Sequence, residues 1–387
     1  MASPDVGHDP TAVSWHLLTG EYPPHPGGVS DYTALVARAL AQRGQRVHVW
    51  APGDDSGARD EEGVTVHRHP RLFTPLGLPY LTRELERCPS PRRLLLQYVP
   101  HAFGLKAMNL PLCAWFASRR RDERWVFFHE IVYPWHLTAS PRHQLLAGVT
   151  RVMARTIAGT ATRILVSIPT WRDHLPSHAR ARAEWCPIPS NLPTQVPPLA
   201  LQQTRAELGE GPWLGHFGTH GPHITEALEK ALVPLLRADV RRKGLLLGRG
   251  SRRFTEALTK RHRDLSHRLH ARDDLAPDAV ASHLAAMDLL LQPYPDGIST
   301  RRTSAMAGLA LGLPILTMTG HLTESLWAES GAVALVDQGA PEVLIETAER
   351  LLGHPGQRAE LGARAARLYR ERFSLERTVE TLLTPAT

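Results

Sequence analysis

Cysteine is scarce in this chain. There are three in 387 residues, Cys88, Cys113 and Cys186, with no close pair and no C-x-x-C. So sparse and odd a set excludes a disulfide framework and predicts a reducing, cytoplasmic setting. Long apolar runs are missing too: the longest candidate, Leu110 to Ala117, falls far short of the roughly 18 residues that span a bilayer. The opening MASPDVGHDPTAVSW lacks the basic-then-apolar shape of a secretory leader. Aromatics make up only 6% of the chain, too few to interleave with its basic clusters, which argues against nucleic acid as a partner. His67 and His69, and further on His262, His267 and His270, have no carboxylates or cysteines at ligand spacing. No metal is expected.

What is present describes a globular protein, with 42% hydrophobic and 21% charged residues. Its length predicts about two domains. The net charge is +7, and arginines cluster at 119–121 with Arg124, at Arg241–Arg242, and at Arg252–Arg253. Such a balance suits phosphorylated small molecules or an anionic membrane surface, and equally an arginine-rich solvated face.

Along the chain, Ala12 to Leu18 reads as a strand and TGEYPPHPGGVS as a loop. Asp31 to Arg43 is a helix striped by Leu35, Val36, Ala39 and Leu40 and stopped by Gly44, and VHVW is a second strand. Strand, helix and strand in that order predict a right-handed βαβ unit and a parallel sheet. RLLLQYV, RWVFFH and RILVSI are near-continuous apolar runs, as expected of strands covered on both faces. The proline-rich CPIPSNLPTQVPPL then reads as a linker. Beyond it WLGHFG, GLLLGRG, DLLLQPY, PILT and GAVALV repeat the alternation. The expected fold is α/β: two doubly wound Rossmann-like domains with a cleft between them. An N-terminal domain covers 1–190, a C-terminal domain 191–370, and a final helix 371–387.

Three loops carry candidate chemistry. Gly27 and Gly28 lie between the first strand and helix, where a ligand can approach the backbone and meet a helix N-terminus. They form no G-x-G-x-x-G fingerprint, and no acidic residue stands where a nicotinamide cofactor requires one. Gly218 and Thr219, in GHFGTHG, repeat that placement in the second half. In DGISTRRTS, Gly297 permits a sharp approach. The amides of Ile298, Ser299 and Thr300 precede a helix through Ala305 to Leu311, and Arg301 or Arg302 can add a charge-assisted contact.

These stretches resemble a retaining family 4 glycosyltransferase of the GT-B type, almost end to end. YPPHPGGVSDYTALVARALAQRGQRVHVWAPG is similar to that family's glycine loop, helix and second strand, and LLLGRGS to its later strand and turn. LLLQPYPDGISTRRTSAMAGLALGLPILT is similar to its donor-binding signature, and RFSLERTVETLL to the C-terminal helix that crosses back to the first domain. The resemblance implies transfer of a sugar from a nucleotide-sugar donor, without cofactor or metal, to an acceptor that is a glycan, a lipid-linked sugar or a small molecule. A lipid-linked acceptor would bring the protein to the inner face of a membrane. Asp296 is then implied to touch the donor sugar and His129, in WVFFHEIVYPW, to lie near the transferred group. Ser304 falls where the family has a second acid, and neutral Thr219 where it has a basic pair, so Arg301 or Arg302 is expected to supply the missing charge. These departures also fit a binding subunit that has lost catalysis, and the fold also serves epimerases and phosphorylases.

Overall fold

The computed structural model describes residues 13–385 except 136, 137 and 139. The expected start of the first strand, Ala12, lies outside the described residues. The chain divides into two compact units, one running to Pro187 and resuming at Thr378, the other spanning Ile188–Arg377.

The first unit is built on an eight-stranded sheet. Its strands are β1 (Ser14–Thr19), β2 (Val47–Ala51), β3 (Gly57–Glu61), β4 (Val64–Arg68), β5 (Arg92–Tyr98), β6 (Glu123–Phe128), β7 (Arg163–Val166) and β8 (Ala183–Trp185). The order is β3-β4-β2-β1-β5-β6-β7-β8. All neighbours are parallel except β3 and β4. Burial explains the apolar runs: Leu94, Leu95 and Leu96 of β5 and Val126 to Phe128 of β6 are wholly enclosed, as helices on both faces require. The helix Gly28–Gln42 buries Val36, Ala37 and Leu40 on the sheet.

In the second unit a six-stranded sheet contains β9 (Trp213–Phe217), β10 (Lys243–Leu247), β11 (Leu269–Arg272), β12 (Leu289–Gln292), β13 (Ile315–Met318) and β14 (Ala334–Val336). Their order, β11-β10-β9-β12-β13-β14, is all parallel. Counted within the unit this is 3-2-1-4-5-6, which reverses direction between β9 and β12. Ligands of such sheets bind beyond the carboxyl ends of the strands at that reversal, so the loops following β9 and β12 are singled out by topology alone. In the first unit the same reversal falls between β1 and β5, beside the glycine loop. Both units are thus doubly wound parallel-sheet domains.

The chain leaves the second unit through a π turn at Tyr369–Phe373 and enters the helix Leu375–Leu383. Beyond it, the Thr384 carbonyl accepts a hydrogen bond from Arg163 of the first unit's sheet at 2.7 Å.

Candidate functional site

The loop after β12 is the richest in chemistry. Gly297 has φ +83°, a left-handed conformation that suits glycine. Its surroundings exclude any side chain as well, since a Cβ here would lie 2.2 Å from Thr323 Oγ1 and 2.4 Å from the Gly320 amide nitrogen. The loop is therefore pressed against the segment following β13.

This contact occupies amides that the sequence left open for a diphosphate. Ile298 N–H donates to the Met318 carbonyl at 3.0 Å. Thr300 donates both its N–H, at 3.0 Å, and its hydroxyl, at 2.6 Å, to Glu324. The other oxygen of Glu324 accepts from Trp327 Nε1 at 2.7 Å. Burial raises the Glu324 carboxyl above its ordinary range, and the hydrogen bonds from Thr300 and Trp327 offset part of that rise. Sequence reasoning missed this residue: HLTESLW shows no periodicity and lies 24 positions from its partner Thr300.

Arg301 and Arg302 converge on Asp296. Arg301 Nη2 approaches one carboxylate oxygen at 2.8 Å, and Arg302 Nη2 pairs with the other. Burial disfavours the charged carboxylate, but the guanidiniums of Arg302 and Arg301 outweigh it, and the Asp296 pKa falls below its usual range. The Arg302 guanidinium also lies 4.7 Å from the Tyr294 ring centre, within cation–π range. The Tyr294 hydroxyl is 2.8 Å from Ser304 Oγ, and burial pushes that phenol up to about 12. The helix following this cluster runs Thr303–Ala310.

The β9 loop meets the same cluster. A Cβ at Gly218 would stand 3.7 Å from Ser304 Oγ and 3.5 Å from His216 Nε2, so Gly218, Ser304 and His216 lie side by side. Thr219, next in the chain, is exposed. His216 donates Nδ1–H to the Leu291 carbonyl at 2.9 Å, which leaves a lone pair on buried Nε2. Burial lowers its pKa to about 3. The only sequence sign of this residue was one histidine within an apolar strand.

In the first unit, Gly27 and Gly28 open the helix Gly28–Gln42 as expected, but a carboxylate of the chain itself lies against them. Glu21 Oε1 accepts from the amides of Val29 and Ser30, each at 3.2 Å. A Cβ on Gly27 would strike that carboxylate at 2.4 Å. His129 follows β6 and is almost fully enclosed, with Nε2 2.8 Å from Gln97 Oε1. Its ring stacks on Phe127 and meets Tyr32 edge-on. Burial lowers its pKa to about 3, so the imidazole is neutral near pH 7.

Among the described residues, His16, His48 and Cys88 form a grouping that could hold a metal. Hydrogen bonding argues against it. Trp50 Nε1–H donates to His16 Nδ1 at 3.1 Å, which places the proton of neutral His16 on Nε2, 3.0 Å from Ser14 Oγ. His16 then has no spare lone pair.

Residues 27–191 match the family model of the glycosyl transferase 4-like domain. Sucrose-phosphate synthase from Thermosynechococcus elongatus superposes with a TM-score of 0.73 at 16% identity, covering 96% of this chain and 97% of that one. WaaG, a glycosyltransferase involved in lipopolysaccharide biosynthesis, gives 0.66 at 16% identity, over 95% of this chain and 98% of its own. Anabaena HepE, solved with UDP and glucose, gives 0.66 at 16% identity, with coverages of 96% and 98%. No curated protein matches the sequence. These superpositions show the fold, which is that of the GT-B type.

Proposed function

We propose that the protein transfers a sugar from a nucleotide-sugar donor, with retention of anomeric configuration, to an acceptor still to be identified. The observation that carries this reading is the arginine pair at the start of the helix following β12, beside the strand-order reversal and the Gly297 turn. Two guanidiniums and a helix N-terminus form a site for a leaving diphosphate. They take the neutralising part without a metal. Solved structures of HepE, which has the same fold, contain UDP and UDP-glucose, and this supports such a donor.

The protein's work is then electrostatic and positional. Arg301 and Arg302 stabilise charge that grows on the diphosphate as the glycosidic bond breaks. The departing diphosphate takes the acceptor's proton, and attack occurs on the face it leaves. Asp296 and neutral His129 orient sugar hydroxyls. Calorimetry against UDP, GDP, ADP and dTDP and their common sugars, without added metal, tests the donor site. Binding of one nucleotide, lost in Gly297→Ala, is expected. No binding by any of them contradicts the proposal and favours a partner subunit without catalysis, a reading that Ser304, paired with Tyr294 rather than bearing a charge, also supports.

An acceptor presented at an anionic membrane surface fits one feature of the first unit. The helix Pro141–Thr160 contains no Asp or Glu and three arginines. Leu145 and Val152 on that helix, and Trp135 before it, are about half exposed. Apolar side chains among arginines match such a surface. Co-sedimentation with phosphatidylglycerol vesicles is expected for the native chain and lost in Leu145→Glu/Val152→Glu. Equal sedimentation of both chains contradicts a role for this face.

A further inference from the structure

We infer that Asp296 is an internal counter-anion, which a bound diphosphate must replace on Arg301 and Arg302. The inference rests on the donor-site reading above and adds a device to it. The two carboxylate oxygens each face a different guanidinium, so one acid engages both cations that the diphosphate requires. The side chains of Asp296, Arg301 and Arg302 are only 19%, 20% and 27% exposed. Water is therefore a poor substitute for either partner, and the exchange proceeds anion for anion.

Charge counting points the same way. Asp296 sets one negative charge against the two positive charges of Arg301 and Arg302, so half of the cationic pair is already neutralised within the loop. The diphosphate of a nucleotide sugar brings about two more negative charges, and it gains full use of the arginines only once Asp296 turns aside.

The backbone does not have to move for this. The Asp296 carbonyl stays bonded to Leu322 N–H at 3.1 Å, and rotation of the side chain is enough. Arg302 keeps its place over Tyr294 during the exchange. The loop also holds donors in excess: among the described residues, the buried Ser299 hydroxyl and the buried Nε of Arg302 have no hydrogen-bond partner. A group rich in acceptor oxygens satisfies both, whereas one carboxylate does not.

A second consequence concerns the sugar. Once displaced, the Asp296 carboxylate is available to accept hydrogen bonds from the donor's sugar. Diphosphate binding and sugar engagement are then coupled through one side chain.

The test is UDP and inorganic pyrophosphate binding to the full-length native chain, Asp296→Asn, Arg302→Ala and the double variant, by calorimetry with thermal unfolding alongside. Asp296→Asn is expected to bind both probes about tenfold more tightly than the native chain, because no carboxylate competes. Arg302→Ala is expected to bind more weakly and to erase that gain in the double variant. If the native chain binds UDP and Asp296→Asn binds it no better, the inference is overturned while the donor reading stands. If neither chain binds either probe, both fall. Should Asp296→Asn lose stability because its guanidiniums are unpaired, pyrophosphate is expected to restore its melting temperature by more than it raises that of the native chain. A smaller or equal rise overturns the inference.

Discussion

A half-buried carboxylate that accepts three hydrogen bonds is costly to remove. In Glu324→Ala the Thr300 amide and the Trp327 indole lose their acceptor, and each buried donor left alone costs about 1–3 kcal/mol. Denaturant unfolding is expected to show a loss of about 3 kcal/mol, together with weaker nucleotide binding as the β12 loop loosens. An unchanged midpoint would mean that Glu324 does not hold the loop. Gly297→Ala meets the backbone of Gly320 and a positive φ together, and on the order of 3 kcal/mol is expected there as well. These two residues differ in how far the sequence reveals them. Gly297 announces itself, because Asp-Gly after an apolar run marks a turn. Glu324 is invisible, because only the register of β13 beside β12 brings residue 324 to residue 300. Likewise, the sequence put two cations and an acid within seven residues, but whether the acid would face solvent, sugar or the cations was decided by side-chain packing.

At the scale of elements, strands buried on both faces were the easiest to read. The runs at β5, β6, β9 and β12 need no alternation to stand out. Among those that pattern reading passed over are β3 and β4. GARDE is an exposed edge strand without an apolar face, and its pairing with β4 depends on a two-residue turn in which Glu62 and Gly63 both adopt positive φ. That turn type favours a hairpin, but Glu at its first position hides the signal. Helix starts were legible as places and not as states. Each anticipated helix start was found near its position, yet carboxylates from outside the helix, Glu21 in one unit and Glu324 in the other, take up nearby amides. Glu21→Ala removes the acceptor of Val29 and Ser30, and a loss of about 1 kcal/mol is expected by the same measurement. No change would show that these amides are satisfied in another way.

For the molecule as a whole, composition and alternation conveyed two parallel-sheet domains, while the reversal points that locate ligands emerge only from strand order. Its pH response follows from buried histidines. Burial lowers His129 and His216 to about 3, and His48 and His67 to about 4, whereas in the unfolded chain each titrates near 6.5. The folded state binds fewer protons in that interval. Stability is therefore fully present above about pH 6.5 and falls as pH drops through the window toward 3–4. Urea unfolding between pH 7.5 and 4.5 is expected to show this decline, shallower by about one proton in His129→Gln. A flat profile would place these rings in water.

The most direct measurement is a proton NMR time course of the sugar released or transferred from whichever nucleotide sugar binds, read before the anomers interconvert. The product is expected to carry the donor's own anomeric configuration first, and Arg302→Ala is expected to slow its appearance without changing that configuration. Appearance of the opposite anomer first, or no turnover of any donor that binds, would contradict a retaining glycosyltransferase.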